Sequence, residues 1–190
     1  MRAPAGRSRT GRRTAVFAAD RRGLTYCRGV TTRPALVSAS LVALYCRPDA
    51  FYVVASDRTT AGVWLHSGPA ERVSNDVGPQ ALADVVAVAV EPDARVVRHP
   101  APDEWTQWQR QALRPLLRQA GVRSWTAFVA PAGLVTVHRH GIGCTVTPER
   151  RDQRQVDAFY PMTEDEIELP DCTPDRLSHA LVAAIEATAR

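Results

Sequence analysis

The residues able to do chemistry in this chain are few and scattered. His138 and His140 stand at i and i+2, with Cys144 four positions further on. Side chains at i and i+2 of a strand point the same way, and Cys144 could face them across a turn. A structural zinc site takes four such ligands, usually in closely spaced pairs, and this chain has no Cys-x-x-Cys. The expectation is no metal and no cofactor, with both histidines on the solvent face and Cys144 on the apolar one. Asp57, Arg58 and His66 supply an acid, a cation and a base. Nucleophilic catalysis needs a nucleophile and its base brought together, and nothing in the spacing does so. There is no GxSxG, no phosphate-cradling glycine loop and no HExxH. The reading is a protein that is not an enzyme, with no catalytic residues.

Two charged features remain. Glu164, Asp165, Glu166, Glu168 and Asp171 place five acids within eight residues. Such a run is either a solvated loop or a docking surface for a basic partner, where carboxylates steer association and imitate phosphate in the groove of a nuclease. These five are the candidate partner-binding residues. The second feature is the N-terminus. Residues 1–49 hold ten arginines against Asp20 and Asp49, a net of +8, while residues 50–190 hold 14 arginines and 18 acids, a net of −4. The overall +4 therefore describes neither part. Residues 1–34 are rich in Arg, Gly, Thr, Ser and Pro and bury too little to offset the entropy of ordering them. They read as an unstructured leader, or as sequence upstream of the true translation start. The alternative is an arginine arm that binds nucleic acid, but no aromatic residues alternate with the arginines to stack bases.

All basic side chains are arginine, as a GC-rich coding bias would produce. Cys27, Cys46, Cys144 and Cys172 are widely spaced, which fits reduced thiols in a cytoplasm. The run ALVSASLVALYC at 35–46 has the length of a secretory hydrophobic core and follows arginines. It starts far from Met1, lacks a small-x-small cleavage site and is shorter than the roughly 20 residues a membrane helix needs. It reads as a buried strand.

The elements that must position these residues follow from periodicity. Leu41–Cys46 and Phe51–Ser56 are β-prone runs joined by Arg47-Pro48-Asp49-Ala50, a turn in which Pro presets φ and Asp caps. Ala61–His66 adds a third strand. Gln80–Val90 has a helical apolar period with Pro79 in its first turn, and Val96–Val97 is a short edge. Asp103 is the expected N-cap of a long helix that Pro115 should kink or divide and Gly121 should end. Trp105, Trp108 and Trp125 read as core anchors of this region. Ser124 opens a short helical turn, residues 133–148 alternate as a hairpin, Val156–Met162 is a strand, and Thr173-Pro174-Asp175 starts a final helix. The sum is one α+β domain over 35–190: an antiparallel sheet of about six strands with about three helices packed against it.

The run PLLRQAGVRSWTAFVAPAGLVTVHRHGIGCTVTP, followed by a charged turn and DAFYPM, resembles the immunity proteins of bacterial contact-dependent growth inhibition systems, including actinobacterial relatives. The matching features are a two-leucine helix end, Gly-Val, Ser-Trp with Phe three residues on, a strand pair ending in Thr-Pro, and an aromatic-Pro strand. The upstream FYVVASDRTTAGVWL also fits, so the resemblance spans about residues 41–190. The Arg-rich leader and Pro115 have no place in that pattern. What the resemblance implies is a cytoplasmic, non-catalytic protein that binds and neutralises one cognate toxin domain, often a nuclease, encoded nearby. No membrane partner is expected, and a nucleic-acid partner stands only as the arginine-arm alternative. Toxin-contacting residues vary within such a family, so the five acids above rest on charge alone.

Overall fold

The computed structural model describes residues 16–20, 24–28, 39–91, 93–152, 155 and 158–189. Strands β1 (Val16–Asp20) and β2 (Leu24–Arg28) pair antiparallel, Val16 opposite Arg28 and Asp20 opposite Leu24. Part of the leader expected to lack structure is therefore a strand pair, carried by the β-prone stretches VFAAD and LTYCR. The rest of the 1–34 segment, and with it most of the arginine-arm reading, lies outside the described residues.

The main sheet is built on a hairpin, β3 (Ala39–Cys46) and β4 (Phe51–Thr59), with Leu41 opposite Ser56 and Cys46 opposite Phe51. The expected turn closes it, the Arg47 N–H donating to the Ala50 carbonyl at 3.1 Å. Then come β5 (Trp64–His66), β6 (Glu71–Val73), helix α1 (Pro79–Val90) and β7 (Val96–Val97), the last running parallel to the end of β4. Helices α2 (Trp105–Gln119) and α3 (Trp125–Val129) lead to the second hairpin, β8 (Gly133–His140) with β9 (Gly143–Arg151). Strands β10 (Phe159–Pro161) and β11 (Ile167–Leu169) both pair with β9, and α4 (Pro174–Thr188) ends the chain. The sheet runs in the order β10-β9-β8-β3-β4-β5, six strands in antiparallel succession, with β6, β7 and β11 off this path.

Helices cover both faces. Val42, Leu44, Val135, Val137, Cys144 and Val146 pack against Leu82, Val86 and Val90 of α1 and Leu177, Leu181 and Ala184 of α4. On the other face Ala43, Tyr45, Tyr52, Val54 and Leu134 meet Leu113 and Leu116 of α2 and Phe128 and Val129 of α3. A strand buried on both sides loses the alternation of a half-exposed one. That is why residues 39–46 read as one apolar run.

Three local expectations change. Glu104, not Asp103, occupies the cap position of α2, and its side chain makes no cap bond to the helix. Instead its carboxylate accepts the Ala101 N–H at 2.6 Å and Arg98 at 2.7 Å. Helix α2 runs unbroken through Pro115, because the ring lies on the exposed side while Leu113 and Leu116 on either side of it are buried against the sheet. Of the predicted 156–162 strand, Phe159–Pro161 is strand and Ala158 and Met162 are not, while 156 and 157 lie outside the described residues.

Gly121 ends α2 as expected, at φ +67°. The Val122 N–H donates to the Leu117 carbonyl at 3.0 Å and the Gly121 N–H to Arg118 at 3.2 Å, the paired bonds of a Schellman turn. Gly121→Ala should destabilise the fold by about 1–2 kcal/mol, the cost of placing a Cβ in the left-handed region. No atom crowds the position, so denaturant titration should report this backbone cost alone. An unchanged midpoint would contradict it.

Candidate partner-binding surfaces

The register of the second hairpin separates the candidate metal ligands. Cys144 is paired with Arg139, and His138 with Thr145. Cys144 is thus on the α1/α4 face, fully buried, with the histidines on the opposite face. His138 sits edge-on to Trp64 at 5.6 Å, half-buried rather than solvent-facing, and His140 Nε2 lies 2.9 Å from the Thr145 hydroxyl. Among the described residues no three metal-ligand side chains converge. Asp57 and His66 are divided in the same way: His66 pairs with Ser56, whereas Asp57 pairs with Leu65 and its carboxylate accepts Arg95 at 2.7 Å. Adjacent strand positions face opposite sides, so the two cannot act together.

All four tryptophans line one small cavity of about 50 Å³ between α2 and the sheet, together with Tyr45, His66, Leu134 and Thr136. Of the three tryptophans read as core anchors, Trp125 packs against the α2/α3 core, while Trp105 and Trp108 are half-buried at the cavity outside it. The Tyr45 hydroxyl and His66 Nε2 are 2.7 Å apart, and burial pulls the imidazole down to about 4, so it is neutral at pH 7. His66 Nδ1 and Trp125 Nε1 are buried without a hydrogen-bond partner. The space admits only a few water-sized groups.

The five acids lie along the β9 edge. Glu164 lies within a short 3-10 turn (Thr163–Asp165) and is 3.8 Å from Arg150. Asp165 is half-buried. Glu166 is exposed and accepts the Thr147 hydroxyl at 3.3 Å. Glu168, exposed on β11, is paired with Thr145 and shares the face of His138 and His140. Asp171 is held by the Thr173 hydroxyl at 2.6 Å and by Arg176 at 3.2 Å, and the Thr173 hydrogen bonds keep its carboxyl below the usual range. Glu164, Glu166 and Glu168 are therefore exposed, whereas Asp165 is half-buried and Asp171 is tied to the start of α4.

A surface of opposite sign was missed by sequence reasoning. Along α2 and the turn into α3, Arg110, Arg114, Arg118 and Arg123 border a groove of about 740 Å³ whose lining includes Leu113, Leu117, Val122 and Trp125. The signal was present as arginine at i, i+4 and i+8, hidden because the leader dominated the charge count.

These features define an α+β fold with helices on both sides of an antiparallel sheet, presenting charged surfaces and no assembled catalytic set among the described residues. Neither a protein-family model nor a curated protein matches the sequence. Solved structures do share the fold. A protein of unknown function from Neisseria meningitidis aligns with a TM-score of 0.62 at 13% identity, over 82% of this chain and 99% of its own. A chain of the CdiA-CT/CdiI toxin and immunity complex from Yersinia pseudotuberculosis aligns with a TM-score of 0.60 at 13% identity, over 78% and 96%. Among the described residues no helix is long and apolar enough to cross a membrane.

Proposed function

We propose that this protein is a non-catalytic immunity protein that binds and neutralises a cognate toxin domain, of nuclease type, in the cytoplasm. The observation that carries the reading is the likeness to a chain of a toxin and immunity complex over 78% of this chain. The separation of Asp57 from His66, and of Cys144 from His138, agrees with it. We assign the first toxin contact to the acidic edge of Glu164, Asp165, Glu166, Glu168 and Asp171, with Glu166 and Glu168 the exposed leads. Carboxylates there would meet the basic groove with which a nuclease holds phosphate.

The direct test is co-expression with the toxin domain encoded beside this gene. The expected result is restored growth and a complex that co-purifies from the cell. Loss of protection in Glu166→Arg/Glu168→Arg would support the acidic edge. Absence of both protection and complex with the wild-type chain would end the reading.

A further inference from the structure

We infer that the α2–α3 groove is a docking site for an acidic, amphipathic peptide segment of a partner protein. Its chemistry is opposite to that of the acidic edge, and the inference stands on charge and shape without the toxin reading. Arg110, Arg114 and Arg118 repeat at i, i+4 and i+8 on α2. Like charges at that spacing destabilise a helix, and no ion pair among the described residues relieves them. All three are exposed, as is Arg123 beyond the turn. Residues 50–190 carry a net of −4, so four unpaired cations along one groove run against the body's own balance.

The groove is also shaped for a protein. Leu113 and the half-buried Leu117 and Val122 supply aliphatic lining. The Schellman bonds of Gly121 and Val122 bring the chain back onto Leu117 and close that end. Guanidinium groups above an apolar floor suit a segment that offers carboxylates on one side and leucine-like side chains on the other, the carboxylates taking two parallel N–H bonds each. A single-stranded nucleic acid would stack its bases on aromatic faces. Trp125 is the aromatic residue in the lining, and it is already stacked on Phe128, with centroids 5.5 Å apart and planes at 21°.

The test uses the full chain and a fluorescein-labelled helical peptide of roughly 15 residues in which Glu and Leu line opposite faces, followed by fluorescence anisotropy. Saturable binding is expected, weakened about tenfold or more by Arg114→Glu/Arg118→Glu and likewise by salt near 0.5 M, roughly. Arg110→Gln/Arg114→Gln should give a smaller loss. Both pairs are exposed, so unchanged circular dichroism and only a small shift in melting from the altered i, i+4 charges are expected, and they separate lost docking from lost folding. A wild-type chain that leaves the peptide free overturns the inference, as does equal binding by the reversed-charge variant. Preferential binding of a duplex or single-stranded oligonucleotide would overturn it too, by making the groove a phosphate surface.

Discussion

Glu149→Gln should make the protein markedly more stable at pH 9 and leave it nearly unchanged at pH 5. Glu149 lies on β9 opposite Leu134, on the α2/α3 face, and is 1% exposed. Burial pushes its carboxyl from 4.5 up to about 8, the Thr136 hydroxyl opposing this only in part. A carboxyl whose pKa is raised by folding holds its proton more tightly in the native state. Its contribution is intact below pH 4.5, and it is lost as pH rises towards and through about 8. One pKa unit corresponds to about 1.4 kcal/mol, so full ionisation opposes folding by something on the order of 4 kcal/mol. Gln keeps the volume and the polar atoms but cannot ionise. Thermal melts across pH 5–9 should show the variant ahead by about 5–15 °C at the alkaline end, taking about 2–4 °C per kcal/mol for a chain of this size. Parallel curves for both proteins would mean that Glu149 reaches water.

The acid limb has a different source and the opposite sign. Burial holds His66 and His138 at about 4, His140 and Arg58 adding to the effect at His138. Groups whose pKa is lowered from 6.5 in the native state cost stability as pH falls from 6.5 towards 4, because the unfolded chain takes protons first. Stability should therefore peak where the two limbs cross, and Glu149→Gln should chiefly flatten the alkaline one.

Arg151→Ala should be the most damaging single truncation of an apparently peripheral side chain. Arg151 ends β9, and its guanidinium donates to the carbonyls of Val129 at 2.7 Å, Ala132 at 2.6 Å and Ala130. These are the last carbonyl of α3 and two of the turn after it, and the Val129 carbonyl also accepts the Ala132 N–H at 2.9 Å. The cation also stands over the Phe159 ring at 5.9 Å. Arg47 makes a similar contact from the β3–β4 turn, donating to the Phe128 and Ala127 carbonyls. Two arginines of the sheet thus tie down α3, and with it Phe128 in the core. Charge-assisted bonds contribute about 1.5–3 kcal/mol each and are not additive. A total loss of about 3 kcal/mol is expected by urea titration, with Arg151→Lys recovering only part of it, because an ammonium lacks the planar fork. A loss below about 1 kcal/mol would show that α3 is held by Phe128 and Val129 packing alone.

Most of this architecture was written locally. Both hairpins, the Pro-Asp turn, α1, α4 and the Gly121 stop follow from period and turn chemistry, which act between residues a few positions apart. Ser124 also behaves as its type requires, accepting the Ala127 N–H at 3.2 Å. Pro115 failed as a helix breaker because burial of Leu113 and Leu116 outweighs one missing backbone bond. The strands in residues 16–28 were masked by arginines, since composition weighs a segment whole and pairing acts on five-residue pieces.

Surfaces were less legible than elements. Residue types alone said that this chain carries few catalytic groups, a mildly acidic body and a long amphipathic helix at 105–119. Which groups meet was settled by register: one position along a strand sends Cys144 away from His138 and Asp57 away from His66. Whether a charge is spent or free was likewise a tertiary matter. Asp171 is used by Thr173 and Arg176, whereas Arg114 and Arg118 stand unpaired among the described residues. Glu149 looks in the sequence like any acid of a charged turn, and burial by elements far along the chain is what pushes its carboxyl up.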